Sequence, residues 1–445
     1  MATSLATRPL SPGLVRPIGA RPATVLALAL PLLFLHAEHQ PAISLAAGGT
    51  TFEARLTDFA VLAVLVTAMV AARRRGVDAL RPAFALWAVA AALSAWVVAA
   101  ALYGPAVLAD YPLAENVGTA AKFVEYALLA AAVPLLVRDR DDVAVLVRVL
   151  VLWSAVATIV GLLQFLGVDI FDAWPAGWRQ PSLLGHHDFA ALSGASLAVG
   201  LAALVLEGRR RVVALVAGMG GLILSAPLAG LLGIILAAGA LALLARRVGP
   251  YPVRRLAAAG AVVATVAVGM VAMRADAVSA YLEFLSDDRP TTEIETYSQR
   301  TVLAYIGARI FLDHPIVGVG LRGSEEPAAF EPYVADARAR FPDASPLAFP
   351  SADRKYGTQS LYIQAFADLG IVGGALLVAL LGAGLALAAR TTRSAAGLLG
   401  LLWLLVCIGL WSAQGLVAGL PLASLTWISL GLLAAAAAQL GEVER

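Results

Sequence analysis

The chain has 445 residues, of which 60% are hydrophobic and 14% charged, and its mean hydropathy is +0.83. Such a composition excludes an ordinary water-soluble protein and predicts an integral membrane protein. The formal net charge of +2 says little by itself, and we expect no nucleic-acid partner. A single cysteine, Cys407, excludes an intrachain disulfide and a metal site built from several thiolates.

Apolar runs bounded by charged or turn residues predict about twelve transmembrane helices, because a helix needs about 20 apolar residues to cross a bilayer. The predicted spans are 23–37, 56–72, 83–104, 114–137, 143–166, 188–206, 212–226, 228–245, 256–273, 360–389, 396–413 and 421–440. We therefore expect an all-α polytopic bundle that forms one integral membrane domain over residues 1–445. Residues 1–37 are either a span or a secretory signal cleaved near His36.

The arginines fall in alternate connections between the predicted spans. With a cytoplasmic N-terminus, the short outer loops carry only Arg55 and Arg179, whereas the inner segments carry nineteen arginines. The nineteen are Arg8, Arg16, Arg21, Arg73, Arg74, Arg75, Arg81, Arg138, Arg140, Arg209, Arg210, Arg211, Arg246, Arg247, Arg254, Arg255, Arg390, Arg393 and Arg445. This asymmetry predicts an even number of spans with both termini in the cytoplasm. The inner loops are short and lack a GxxxxGK[ST] motif, so we expect no ATP-driven chemistry and no cofactor.

Residues 274–358 form the longest connection, between the ninth and tenth predicted spans, and we expect them to be a large extracytoplasmic loop. This loop carries thirteen acidic and nine basic residues, so it is no general cationic surface. A helical pattern begins at Arg300 and places Val302, Ile306 and Ile310 on one face. The loop is therefore predicted to be folded.

The same helix is predicted to pair Arg309 with Asp313 one turn later. It should end at His314, because a residue that precedes proline avoids helical backbone angles. Gly318 and Gly320 then allow a tight return of the chain.

Two of the predicted spans contain ionisable residues. Lys122 and Glu125 are three residues apart and share a helix face, so they form either a structural ion pair or a functional site. Asp58 lies near the outer end of its span, where a helix-start role explains it. These residues leave open the alternative function of a solute transporter that uses Lys122, Glu125 and Asp58.

Several short motifs occur in a recognisable order and spacing. They are Trp178–Ser193 (WRQPSLLGHHDFAALS), Arg300, Asp313-His314-Pro315, Gly318, Gly320, Tyr362, Gln364, Asp368, Gly370 and Gly373. Over roughly residues 110–390, this order and the layout of spans around one large outer loop resemble the O-antigen ligase and O-antigen polymerase superfamily of membrane glycosyltransferases. The resemblance implies transfer of a glycan from a polyprenyl-diphosphate donor to an acceptor hydroxyl, by a ligase or a polymerase, on the outer face of the bacterial cytoplasmic (inner) membrane.

The sequence departs from the family pattern at three places. Gln359-Ser360 stands where these ligases usually have a histidine, Ser225-Ala226-Pro227 lacks the usual arginine, and His186 or His187 replaces an asparagine. Because glutamine cannot accept a proton, the departure at position 359 matters most.

The resemblance points to Arg179 and Arg300 as the residues that bind the donor diphosphate, since guanidinium groups grip phosphate oxygens in pairs. Arg322, Arg354 and Lys355 are weaker substrate-binding candidates, for which surface salt bridges are the simpler interpretation. Lys122 is a further binding candidate, from within the membrane.

The acceptor hydroxyl also has to lose a proton, and a positioned base speeds that step. Gln359 can orient a group but cannot deprotonate it, His314 is the nearest titratable substitute, and Asp368 is a second choice. His186 and His187 are expected to point apart and lack a third ligand, so we expect no metal site.

Overall fold

The structure is a computed structural model that describes residues 21–47, 50–246, 253–285, 296–416 and 420–443. Within these ranges the chain forms fifteen α-helices and one hairpin. The elements are α1 (Pro22–Leu33), β1 (Ala42–Ala47), β2 (Thr50–Arg55), α2 (Leu56–Arg75), α3 (Phe84–Val107), α4 (Leu113–Leu136), α5 (Arg140–Phe165), α6 (His186–Ala202), α7 (Val212–Ser225), α8 (Leu228–Ala245), α9 (Val253–Ala272), α10 (Ala275–Leu285), α11 (Thr296–Asp313), α12 (Pro327–Arg340), α13 (Leu361–Thr391), α14 (Ala395–Leu410) and α15 (Leu420–Val443).

The predicted all-α bundle is confirmed, but the number of full-length spans is smaller than twelve. Ten helices of the described residues are long and apolar enough to cross a membrane. At the first and seventh predicted spans the chain forms the shorter apolar helices α1 and α7, of 12 and 14 residues. In α7 the reason is local, because Ala226 adopts a left-handed φ of 45° just before Pro227 and ends the helix.

The core of the bundle is α6, which other helices surround. In the most apolar 18-residue stretch at α6, 94% of the residues are buried, against 33% in the corresponding stretch of α2. Small residues let neighbouring backbones approach closely, as they do between α8 and α14. A Cβ atom on Gly409 would lie 2.2 Å from the backbone nitrogen of Gly233, so this crossing requires glycine.

One end of the bundle joins the first and last helices to the α4–α5 turn. Arg21 binds the carboxylates of Asp139 at 3.2 Å and Asp141 at 3.1 Å, and Gln439 donates to the carbonyl of Arg138 at 2.9 Å. We call this the arginine end. Four of the arginines predicted to be cytoplasmic, Arg8, Arg16, Arg247 and Arg445, lie outside the described residues.

The predicted helical patterns of the long connection are confirmed by α10 and α11. Val302, Ile306 and Ile310 are buried and pack with Phe330 and other apolar residues in a cluster separate from the bundle core. This second cluster stabilises α11 and α12 as a folded unit over the end of the bundle opposite the arginine end, which we call the loop end.

The predicted pair of Arg309 and Asp313 is wrong. Because α12 packs along α11, Arg309 instead lies 3.6 Å from the carboxylate of Asp336. Asp313 accepts the hydroxyl hydrogen of Tyr333 at 2.5 Å. Burial and the Asp313 carboxylate together raise the pKa of Tyr333 to about 12, so the hydroxyl stays a donor at neutral pH.

The turn after α11 is fitted into a break in α13. Gly370 has a φ of 64°, and this break lets the nitrogen of Ile371 donate to the carbonyl of Pro315 at 2.8 Å. Gly320 donates in turn to the carbonyl of Asp368 at 2.9 Å. A Cβ atom on Gly370 would lie 2.2 Å from the carbonyl oxygen of Ile316, so only glycine fits. The two glycine motifs therefore hold the loop on the bundle.

Candidate functional site

Three distant segments meet at Arg300, in the second turn of α11. Its Nε donates to Oε1 of Gln359, just before α13, at 3.0 Å. Its Nη2 lies 3.4 Å from Nε2 of His187, in the first turn of α6. Gln359 has a left-handed φ of 47°, an unusual conformation for a residue with a side chain. The loop end thus joins two of the predicted site residues, Arg300 and Gln359.

A row of neighbouring, mutually tilted aromatic rings connects Arg179 to His187. The guanidinium of Arg179 lies 4.6 Å from the ring centre of Trp174, and the Trp174 and His186 ring centres are 5.2 Å apart. The rings of His186 and His187 follow at 4.1 Å, so the expectation that they point apart is wrong. Neighbouring imidazoles are long enough to converge even though their Cβ atoms diverge on the helix. Both predicted donor-binding arginines therefore border one histidine pair.

Two buried glutamines shape the α5–α6 loop that carries Arg179. The side-chain amide of Gln164 donates to the carbonyl of Ser182 at 3.1 Å and accepts from the nitrogen of Ser182 at 2.8 Å. Gln180 similarly accepts from the nitrogen of Trp174 at 3.0 Å. These bonds satisfy the polar backbone of an irregular loop where it packs on the bundle. The row from Arg179 to His187 is therefore held by the protein itself.

Arg274, just after α9, joins the same cluster. It is 8% exposed, and its charge acts on both His186 and His187, as do those of Arg179 and Arg300. The sequence patterns do not single out Arg274. Its one signal is that it is the first charged residue after an apolar span, at the start of the long loop. We call Arg179, Arg274, Arg300, His186 and His187 the arginine–histidine cluster.

His314 and Asp368 lie apart from this cluster. His314 is exposed and follows Arg300 by fourteen residues on one helix, which corresponds to about 20 Å along the helix axis. Asp368 is fully buried, and its carboxylate accepts the backbone N–H groups of Arg322 and Ser324, both at 2.9 Å. Asp368 therefore holds the chain around Arg322, and the role of His314 as a base stays a prediction.

Residues 195–378 match the family model described as O-antigen ligase. The match covers 184 of the 445 residues and supports the O-antigen ligase superfamily. The matched region contains Arg274, Arg300, Gln359 and Asp368, and it begins just after the Arg179 loop and the histidine pair. A search of the curated proteins finds no match to this chain.

The match and the ten apolar helices support a bacterial multi-pass membrane protein of glycosyltransferase-like function. Within the described residues there is no group of three His, Cys, Asp or Glu side chains that could hold a metal ion. The O-antigen ligase family implies a lipid-linked glycan and an acceptor as substrates.

Two of the weaker substrate-binding candidates are engaged in ion pairs. Arg322 pairs with Glu115 and, at 3.0 Å, with Glu325. Burial lowers the pKa of Arg322, but the two carboxylates outweigh it and raise that pKa above its usual value. Lys355 binds Glu326 at 2.7 Å. These contacts favour the structural interpretation for both residues.

Arg354, the third weaker candidate, has a different environment. Its Nη1 is buried, and the described residues give it no hydrogen-bond partner. Its backbone pairs with Ser351 in a tight turn, at 2.9 and 3.1 Å. The turn fixes the backbone of Arg354.

The predicted pair within the membrane is confirmed and gains a third member. Lys122 lies 3.1 Å from Glu125 on α4 and also contacts Asp58 on α2. Asp58 accepts the N–H of Arg55 at 2.8 Å, which confirms its helix-start role. The match to the O-antigen ligase model does not favour the alternative of a solute transporter that uses these three residues.

Proposed function

We propose that this protein transfers a glycan from a polyprenyl-diphosphate donor to an acceptor hydroxyl on the outer face of the bacterial cytoplasmic membrane. The observation that carries the proposal is the convergence of Arg179, Arg274 and Arg300 on one histidine pair. A diphosphate at a membrane surface is the ligand that best suits three guanidinium groups held by the protein. The proposed orientation, with residues 274–358 outside, rests on the arginine asymmetry of the loops.

In the proposed reaction, the acceptor oxygen bonds to the anomeric carbon of the donor sugar. The bond from that carbon to the diphosphate oxygen breaks, the polyprenyl diphosphate leaves with the electron pair, and the acceptor proton passes to a base. The arginines stabilise the negative charge that develops on the leaving group, which is commonly the largest catalytic contribution. Gln359 orients Arg300 through its hydrogen bond to Nε at 3.0 Å.

The base that we propose for the acceptor proton differs from the one that the sequence motif favours. His314 was the candidate from the loop motif, but it lies about 20 Å from Arg300 along the helix. The ring of His187 lies beside Arg300, and because Arg300 Nη2 can only donate, Nε2 of His187 is the nitrogen with the free lone pair. We therefore assign the proton to Nε2 of His187, which becomes available when Arg300 turns to the diphosphate, and the bound diphosphate stabilises the imidazolium as it develops.

Deleting the gene in its native host tests the proposed function. The lipid-linked glycan should accumulate in the deletion strain, because it is made but not transferred. Wild-type protein should clear it, whereas Arg300→Ala at equal expression should not. A deletion strain with no accumulated lipid-linked glycan would contradict the proposed function.

A further inference from the structure

A cavity of ≈ 240 Å³ opens at the loop end, separate from the arginine–histidine cluster. Its wall comes from the end of α1 and the turn after it, from β2, from the start of α2, and from α4 and α6. These elements lie side by side because α1, α2 and α4 pack against one another. The cavity therefore lies beneath the β1–β2 hairpin.

The polar groups of this cavity carry both signs of charge. Arg55 and Lys122 supply cations, and Glu53, Asp58 and Asp188 supply carboxylates. Arg55 binds Glu53 at 2.6 Å, and Lys122 contacts Asp58. A wall of nearly balanced charge suits neither a polyanion nor a simple cation.

The rest of the wall is amide, imidazole and hydrocarbon. Gln40 accepts from the nitrogen of Thr57 at 2.9 Å, and Leu33, Leu35 and Ala37 are apolar. A sugar ring likewise carries hydrogen-bond donors and acceptors that alternate with C–H surface. The chemistry of the cavity thus matches a neutral polyhydroxylated ligand.

The cavity and the arginine–histidine cluster both border the first turn of α6. Asp188 lines the cavity and directly follows His187, which contacts Arg300. His36, also on the cavity wall, donates its backbone N–H to the carbonyl of Leu183 at 3.1 Å, just before that turn. Burial lowers the pKa of His36, so its ring adds an uncharged polar group to the wall. A ligand that reaches Asp188 therefore lies beside the cluster.

We propose that this cavity binds the saccharide of the acceptor and presents its hydroxyl to the arginine–histidine cluster. The inference rests on the proposed function, and it assigns a substrate to the part of the loop end that lies next to the β1–β2 hairpin. It also gives Lys122 and Asp58 a role other than transport. Each would bind sugar hydroxyls and give up part of its contact with the other.

Thiol labelling of the folded protein tests this inference. Ala37 lines the cavity, whereas Ser44 is exposed on β1 outside the wall, and the native Cys407 is buried. Ala37→Cys and Ser44→Cys are treated in spheroplasts with a bulky, membrane-impermeant maleimide. Transfer of glycan out of the lipid-linked pool to the native acceptor is measured there, and binding of undecaprenyl diphosphate is measured on the purified, labelled proteins.

Labelled Ala37→Cys should lose transfer by about tenfold or more, because the adduct fills the acceptor cavity, yet bind undecaprenyl diphosphate as before. Labelled Ser44→Cys should keep both. Undiminished transfer by labelled Ala37→Cys would overturn the inference, and so would loss of undecaprenyl diphosphate binding along with transfer. If the unlabelled protein neither transferred glycan nor bound undecaprenyl diphosphate, the proposed function would fail, and the inference with it.

Discussion

The guanidinium of Arg300 lies between Gln359 and His187, with its Nε 3.0 Å from the Gln359 oxygen and its Nη2 3.4 Å from the His187 ring. These residues come from the long loop, the start of α13 and the start of α6. In the proposed reaction this contact accounts for the glutamine at position 359. The glutamine orients Arg300, and we assign the proton to a histidine from another helix.

Arg300→Lys should keep the positive charge but lose paired contact with phosphate oxygens, so turnover should fall by about tenfold or more. Arg309→Lys is the matched control, because Arg309 is on the same helix and pairs with Asp336 at the surface. Transfer rates at equal expression are compared. Equal rates for the Arg300 variant and the control would remove Arg300 from donor binding.

Gln359→His should be tolerated or should increase the rate, since imidazole can accept the Arg300 hydrogen bond and can also accept a proton. Gln359→Leu, which removes the acceptor for Arg300 Nε, should lower the rate. The two variants are compared by transfer assay. An inactive Gln359→His that folds and binds donor would show that the amide itself is needed.

His187→Ala should lower turnover by about a hundredfold, because a general base commonly contributes that much. Binding of undecaprenyl diphosphate should be retained. His314→Ala should leave turnover unchanged, since that side chain is exposed and distant from Arg300. The reverse result would return the base to His314, as the loop motif predicted.

Gly370→Ala should destabilise the protein by at least about 1–3 kcal/mol, because it combines a left-handed φ with a clash against the Ile316 carbonyl. Gly382→Ala, on the same helix, meets no atom within 4 Å and should be neutral or slightly stabilising. Thermal unfolding in detergent measures both. Similar melting temperatures for the two variants would contradict the docking of the loop into α13.

Reporter fusions test the proposed orientation. Fusions after residues 75, 140, 211, 250 and 392 should report the cytoplasm, and fusions within 280–350 should report the outside. An external signal at residue 250 would overturn the predicted order of spans. Residue 250 itself lies outside the described ranges.

Hydropathy predicted the position of every helix in the bundle, because burial in lipid acts on about 20 consecutive residues at once. It overestimated α1, which ends at Leu33 and not at residue 37, whereas α7 ends within one residue of its prediction and is shorter than a full span. Family motifs identified Arg179, Arg300 and position 359. They marked His186 or His187 only as the replacement of an asparagine and did not identify Arg274, because the assembly of these residues depends on how the ends of α6, α9 and α11 pack. The Arg309 prediction failed for the same reason, since Asp336 approaches from another helix.

Binding of undecaprenyl diphosphate to the protein in lipid nanodiscs tests the central claim most directly. Arg179→Ala and Arg300→Ala should each weaken binding by about tenfold or more, since each loses charge-assisted hydrogen bonds to phosphate. Arg309→Ala should bind like the wild type. If both single variants bound undecaprenyl diphosphate as tightly as the wild type, the arginine–histidine cluster would not be the donor site.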